Sequence, residues 1–430
     1  MTAVDTHQTP GTGPTGPGRT GAADTKQVGP REIVHDYLVK VRGGDIGSLP
    51  AVLGLLTLVL LFSILRPDSF LTSLNFANLI NQSAAVVILS MGLVFVLLLG
   101  EIDLAAGYTA GTCAGVIGVA ATNQGWPVPV ALLLGLLAGI LIGLVMGSLV
   151  AFLGIPSFVV TLAFFLGLAG LLLRIVGNGK TISLPEGFLI DINNATLPVW
   201  LGWAAAVVGL AAFAGSRLFG NLRRRRLGLA AEPLLLWGLK TVVLAVLVLG
   251  AVAYLSQERA INPAFRSLKG VPAIVLVVVG LLVVLTLLLN RTRWGRHVYA
   301  VGGNAEAARR AGINVVWVKV SCFMLTGALA AVAGLAIASR NNGVTGDTGG
   351  ANTLLLAVGA AVIGGTSLFG GKGRMVDAII GGLLIAVIQN GLLILDQPPS
   401  TFQMVTGAVL LLAATVDALS RRRSAATGRG

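Results

Sequence analysis

Apolar stretches and short polar ones alternate along this chain, and twelve apolar segments can be separated. They run over residues 49–65, 84–100, 104–121, 127–153, 156–173, 198–215, 233–256, 272–289, 320–339, 353–369, 377–395 and 402–419. A helix needs about 20 apolar residues, at about 1.5 Å each, to cross about 30 Å of hydrocarbon. Most of the segments approach that length. The pattern predicts an all-α polytopic transmembrane bundle. The third and tenth segments are the weakest, rich in Gly and Thr, and are expected to be broken or re-entrant. Residues 49–419 form the membrane domain. Residues 1–48 form an N-terminal tail, whose Gly, Pro and Thr content predicts disorder, and 420–430 a C-terminal tail. Gly11-Thr12-Gly13-Pro14-Thr15-Gly16 fits a dinucleotide fingerprint by letters alone, since no strand precedes it and no helix follows. No cleavable signal is expected, because the first apolar run starts behind a long polar tail.

Composition agrees with this reading. The chain is 55% hydrophobic and 11% charged, where a soluble domain carries about 25% charged residues. Its 58 glycines suit helices that approach closely through small residues. A net charge of +13 could suggest nucleic acid, but the distribution points to the membrane. With the N-terminus in the cytoplasm, alternating the spans places twenty-two basic residues inside and seven outside, with Lys240 within the seventh span. That bias follows the positive-inside rule and puts both termini in the cytoplasm. The Arg223–Arg226 run then reads as a topology anchor beside lipid, and no nucleic-acid partner is expected. Cys113 and Cys322 both lie in apolar runs, so no disulfide framework is expected. His7, His35 and His297 form no metal spacing.

The longest polar interruption inside the apolar sequence is Arg291–Lys319, with six basic residues and one acid, Glu306. Its middle predicts one short helix. Asn304 caps the start, Glu306 faces the positive dipole end, and Arg309 and Arg310 stand near the C-terminus. Gly312 ends the helix in the left-handed conformation. A short helix between two spans buries little by itself, so a partner outside the bilayer is expected.

Three other stretches carry polar groups into apolar surroundings. In Gly100-Glu101-Ile102-Asp103-Leu104-Ala105-Ala106-Gly107 two carboxylates sit where the second span hands over to the third. A carboxylate at the bilayer centre costs about 2.5–3.5 kcal/mol, so it needs a cavity, a partner or an interfacial position. Glu101 and Asp103 can line a translocation path, relay protons, or form a polar turn in which Asp103 caps the next helix. In Ile155-Pro156-Ser157-Phe158-Val159-Val160-Thr161-Leu162, Thr161 can face a pathway or bond back to its own helix. Asn390, in Gln389-Asn390-Gly391, can bridge helices or meet a solute hydroxyl. Gly364–Gly373 fails as a phosphate loop, because Thr366 stands at the first Gly position and Gly373 follows Lys372. No ATP site or other cofactor site is visible, nor any nucleophile–base or metal constellation, and no enzymatic chemistry is expected.

Glu306-Ala307-Ala308-Arg309-Arg310-Ala311-Gly312 resembles the EAA loop of ABC-importer permeases. Gly295–Asn304 and Ile313-Asn314-Val315 are similar to the flanks of that loop in the sugar permeases. The EIDL, PSFVVTL, GGTSL and Asn390-Gly391 stretches also resemble segments of the ribose, xylose and galactose permease family. The similarity covers roughly Leu49 to Leu419. The Arg-rich loop followed by Leu227-Gly228-Leu229 and two further spans resembles the longer, xylose-type architecture. Departures are Ala105-Ala106, where the family usually has Ser-Val, and Gln389 before Asn390.

The resemblance implies the permease subunit of an ABC importer for a monosaccharide, xylose or a similar sugar, in a bacterial cytoplasmic membrane. It implies a homodimeric channel, two cytosolic ATPase subunits that bind the ATP, and an extracytoplasmic sugar-binding protein. Coupling to the ATPase would fall to Arg296, Asn304, Glu306, Ala307, Ala308 and Gly312. From topology, outer-loop residues Glu258, Arg259 and Asp347 are candidates for docking the binding protein. The rivals are a permease for another small solute, such as a branched-chain amino acid, and a proton-coupled secondary transporter using Glu101 and Asp103.

Overall fold

The computed structural model describes residues 47–229, 231–260 and 267–426. Its helices are, in order, α1 (Leu49–Leu65), α2 (Pro67–Phe70), α3 (Ser73–Leu98), α4 (Ala106–Gly118), α5 (Val128–Phe152), α6 (Ser157–Val176), α7 (Phe188–Asn194), α8 (Val199–Arg226), α9 (Leu234–Leu255), α10 (Ile274–Arg291), α11 (Arg293–Gly303), α12 (Ala305–Arg310), α13 (Val315–Arg340), α14 (Ala351–Gly364), α15 (Met375–Ile394) and α16 (Pro399–Ala426). Two three-residue strands, β1 (Thr181–Ser183) and β2 (Gly343–Thr345), pair antiparallel with Ile182 opposite Val344. Each of the twelve predicted apolar segments contains a helix. Among the described residues nine helices are long and apolar enough to cross a membrane, and α1 and α14 are shorter apolar helices. Most of residues 1–48, predicted to be a disordered tail, lie outside the described residues.

Boundaries follow local chemistry. The Thr72 hydroxyl accepts from Asn75 N and caps α3. α8 runs well past its predicted end at residue 215 to include Arg223–Arg226 in its last turn, where cations complement the helix dipole. α16 likewise continues beyond residue 419 to Ala426.

α13 is the axis of the bundle. Its neighbours are α5, α3 and α4, and α3, α13 and α15 are the most enclosed of the long helices. α5 presents Gly135, Gly139, Gly143 and Gly147 on one face. A Cβ on Gly139 would lie 2.2 Å from Gly327 O, and one on Gly143 would lie 2.2 Å from Phe323 O. The two backbones therefore touch directly, the close packing that small residues at four-residue spacing allow in membranes. On the other side Thr326 donates its hydroxyl to Gly92 O of α3 at 2.8 Å. By contrast α8, α9 and α16 leave most of their surface uncovered, as lipid-facing helices do.

The third and tenth segments both form short helices entered through non-helical backbone. α4 is only 13 residues long and starts after the non-helical stretch 99–105; one π-helical turn, Val119–Asn123, prolongs it. α14 has 14 residues, about 21 Å of helix and well short of a span. The missing part is residues 346–350, which run back alongside α4 from the strand pair. A Cβ on Gly118 would meet Val344, one on Gly111 Thr348 O, and one on Gly107 Gly350 O at 2.5 Å. Non-helical backbone at such depth is tolerated only where protein or a cavity surrounds it.

Gly143→Val should overpack the α5–α13 contact, costing about 1–3 kcal/mol or more. Gly209→Val, where an added Cβ meets nothing within 4 Å, is the matched control. Thermal denaturation in detergent, followed by size-exclusion chromatography, should show a lowered melting temperature and lost monodisperse protein for the first variant only.

Candidate functional site

The Arg291–Lys319 loop folds as two helices where the sequence predicted one. The unpredicted helix is α11. Thr292 Oγ1 accepts from Gly295 N at 3.0 Å to start it, and Val298 and Val301 are buried along one side. The apolar spacing Trp294, Val298, Val301 was the available signal. α11 lies hard against the bundle. A Cβ on Gly295 would sit 1.9 Å from Leu289 O, and one on Gly302 would sit 1.8 Å from Leu98 O. Trp294 Nε1 donates to Ser321 Oγ of α13 at 2.8 Å, its ring stacks obliquely on Phe95 of α3 at 5.6 Å, and Tyr299 donates its hydroxyl to Gly373 O at 2.8 Å. Burial raises the Tyr299 hydroxyl above its usual range.

α12 follows immediately and has the predicted construction. Asn304 Oδ1 accepts from Ala307 N at 2.9 Å. Glu306 pairs with Arg309 at 3.3 Å and with Arg310 at 3.2 Å, and all three side chains are more than half exposed. Surface pairs of this kind contribute about 0–1 kcal/mol. Ala308 alone of the helix is buried. Gly312 has φ +82° with nothing within 4 Å of an added Cβ, so its requirement is purely conformational. Ile313 N closes the end on Ala308 O at 3.0 Å. Arg296 is exposed on α11, as is Ala307 on α12. The Gly364–Gly373 stretch is a turn beneath the same assembly: Gly371 N donates to Leu98 O at 2.9 Å and Ser367 N to Lys372 O at 2.9 Å.

The two motifs around Glu101 and Thr161 meet. Ile102 N donates to Ser157 Oγ at 3.1 Å, and Ile102 O accepts from Thr161 Oγ1 at 3.2 Å, so α6 grips the backbone of one residue of the break before α4 at both its N–H and its carbonyl. Thr161 also donates to Ser157 O at 2.9 Å. Asp103 is buried and accepts from Ala105 N at 2.9 Å. Glu101 pairs with Lys319 of α13, both partly buried. Asn390 stands apart from this group. It and Asn75 of α3 exchange amide hydrogen bonds of 3.0 and 2.8 Å, buried between α15 and α3.

At the strand end, Glu258 and Arg259 are engaged with their own loop. Glu258 accepts from Ser267 Oγ at 2.7 Å and from Leu268 N at 2.8 Å. The Ser267 hydroxyl and then these backbone donors hold its carboxyl down to about 2. Arg259 is buried and donates to Leu255 O and Gly270 O. Burial lowers its guanidinium from the ordinary value.

Asp347 is exposed and lines a cavity of about 450 Å³ at the meeting of the two broken spans, together with Tyr108, Asn341, Thr348, Asn352 and Thr353. The sequence reading missed this cavity, because residues 340–347 were assigned to an outer loop. The signal was the polar, glycine-rich run Gly346-Asp347-Thr348-Gly349-Gly350, set three residues before apolar Leu354–Leu356.

Comparison with known proteins agrees with this architecture. A family model described as branched-chain amino acid transport system / permease component matches residues 75–414. The xylose transport system permease protein of Escherichia coli K12 is 36% identical over 373 residues, covering 87% of this chain and 92% of that protein. Its Haemophilus influenzae counterpart is 35% identical over 389 residues, 90% of this chain and 100% of that protein. The ribose import permease protein of Bacillus subtilis is 32% identical over 382 residues, 89% and 95% respectively. No solved structure matches the chain.

Removing one side of the buried amide pair leaves the other unsatisfied, which costs about 1–3 kcal/mol. Asn390→Leu and Asn75→Leu should each lower the melting temperature in detergent, while the double variant should lose less than the sum of the two. Additive losses would mean that the amides act independently.

Proposed function

The chain belongs to the branched-chain amino acid transport system / permease component family, and from that premise we propose that it is the membrane subunit of an ATP-driven importer carrying a monosaccharide, xylose or a similar sugar, across a bacterial cytoplasmic membrane. The family description names branched-chain amino acids. The relatives compared above are named for sugars, and that supports a sugar cargo. The subunit itself hydrolyses nothing. ATP is bound by two cytosolic ATPase subunits, an extracytoplasmic protein delivers the sugar, and two copies of this chain form the channel. Both termini lie in the cytoplasm.

The observation that carries this reading is the α11–α12 unit. α12 offers Glu306, Arg309, Arg310 and Ala307 to a partner, while α11 beneath it is fixed to α3, α13 and the 364–373 turn. A push on α12 by the closing ATPase dimer is therefore delivered to two central helices at once, and alternating access follows from their displacement. The binding protein docks at the opposite face, at the loop held by Glu258 and Arg259, while Asp347, expected there from topology, stands in the cavity where the two broken spans meet. A proton-coupled mechanism through Glu101 and Asp103 gains no support from their surroundings, because one carboxylate is paired with Lys319 and the other caps Ala105.

The test is reconstitution. In proteoliposomes the chain alone should neither hydrolyse ATP nor accumulate sugar, and adding the ATPase and binding protein should restore both activities. Glu306→Ala and Gly312→Val should insert normally yet lose sugar-stimulated ATP hydrolysis and uptake; Val at φ +82° is sterically disfavoured. Uphill uptake driven by a proton gradient without the ATPase would overturn the proposal.

Topology gives a separate check. Single cysteines replacing Asn304 and Asn342 in a cysteine-free background should react with an impermeant reagent from opposite faces of the membrane. Labelling of both from outside intact cells would refute the orientation.

A further inference from the structure

The cavity between the two broken spans is open on one side and lies well inward from the Arg340 end of α13. α13 extends about 39 Å at 1.5 Å per residue. Gly334, six residues from its Arg340 end, lies against Ala110 of α4, with an added Cβ 2.0 Å from Ala110 O. α4 begins one further turn inward, where Gly107 faces Gly349 and Gly350. The starts of α4 and α14 thus meet roughly 9–15 Å inward from the end of α13, close to the middle of a bilayer about 30 Å thick. At that meeting point Asn352 is exposed, and Asp347 is exposed with no ion pair among the described residues. A carboxylate against lipid at such a depth costs about 2.5–3.5 kcal/mol. This surface therefore opens on water.

The chemistry of the lining selects a kind of solute. Asn352 supplies both a donor and an acceptor, Thr353 supplies a hydroxyl, and Asp347 supplies an acceptor. The first-turn N–H groups of α14 add donors, because Gly350, its N-cap, has no side chain to cover them. Tyr108 forms part of the wall, its ring fixed edge-on against Phe165 at 4.8 Å. Interleaved donors and acceptors beside an aromatic ring match vicinal hydroxyls on an uncharged carbon skeleton. The lone carboxylate disfavours anions. The volume of about 450 Å³ falls within the range of small-molecule sites, about 300–1,000 Å³.

We propose that this cavity is the water-filled transit site for the polyhydroxylated solute, with Asn352 and Asp347 as its contacts; the identity of the solute rests on the function proposed above. Discontinuous helices meeting at the midplane serve membrane transporters in the same physical way, by exposing backbone polar groups to cargo.

The experiment uses the complete importer in proteoliposomes, in a background lacking Cys113 and Cys322. Asn352→Cys is compared with Leu411→Cys, a position exposed on lipid-facing α16. A hydrophilic methanethiosulfonate should modify the first at least tenfold faster, abolish its uptake, and react more slowly when ATP and xylose are both saturating. Asn352→Leu should lose at least tenfold in uptake rate, and Asn352→Gln should recover part of it. Equal reactivity at the two cysteines would overturn the proposal. So would spontaneous disulfide formation between two copies at position 352 that leaves uptake at the wild-type level. The reactivity comparison needs no transported sugar. A reactive Asn352→Cys in an assembly that takes up no sugar would reject the importer reading and keep the water-filled cavity. An inert one in an active importer would do the reverse.

Discussion

Backbone contact between α5 and α13 is the constraint on which the other arrangements rest. With lipid outside, apolar burial supplies little drive for helix association, and van der Waals packing must take its place. Gly139, Gly143 and Gly327 allow the two helices to touch along their backbones. α13 is thereby held along much of its length, and it carries a partner for each working part of the molecule. Lys319 reaches Glu101, Ser321 reaches Trp294, Thr326 reaches α3, and Gly334 receives α4. A helix less firmly seated would let these attachments move independently.

Because α13 is fixed, a force applied at the loop face has a defined route. The exposed helix α12 is short and its ion pairs are weak, so it cannot store or transmit much by its own cohesion. α11 compensates. Its glycines sit on carbonyl oxygens of α10 and α3, and its two aromatic donors reach α13 and the 364–373 turn. The Ile102 backbone, held by Ser157 and Thr161, ties the end of α3 to α6 in the same region. Displacement of α11 therefore reaches the break that precedes α4 through two independent attachments, one by way of α3 and one by way of α13.

The broken spans follow from the same glycine chemistry used differently. Gly107, Gly111 and Gly349 allow a run of turns to lie against α4 where a helix would not fit. The backbone of residues 346–350 then gives up its own helical hydrogen bonds, and water or cargo must satisfy what protein does not. Polar side chains are admissible there for the same reason. Both sets of glycines close a contact: those on α5 seat one helix on another, and those on α4 seat a run of turns on a helix.

Local signals were legible in the sequence. The twelve apolar segments, the weakness of the third and tenth, the Asn304 cap, the Glu306–Arg310 helix and the left-handed Gly312 all depend on residues within about four positions of each other, and a helix is specified at that range. The polar groups were legible only as candidates. Which of them satisfy each other was decided by the tertiary structure. Asn390 meets Asn75 across 315 positions, Lys319 meets Glu101 across 218, and Ser157 and Thr161 close on Ile102 across 55 and 59. Each pairing depends on how far one helix is rotated and slid along another, and that is set by glycine contacts between distant segments, which no local periodicity encodes. The cavity was hidden for the same reason. Residues 340–347 read as an outer loop until α4 offered a glycine face against which residues 346–350 could descend, and only then did Asp347 and Asn352 come to stand at the depth where a polar side chain must face water.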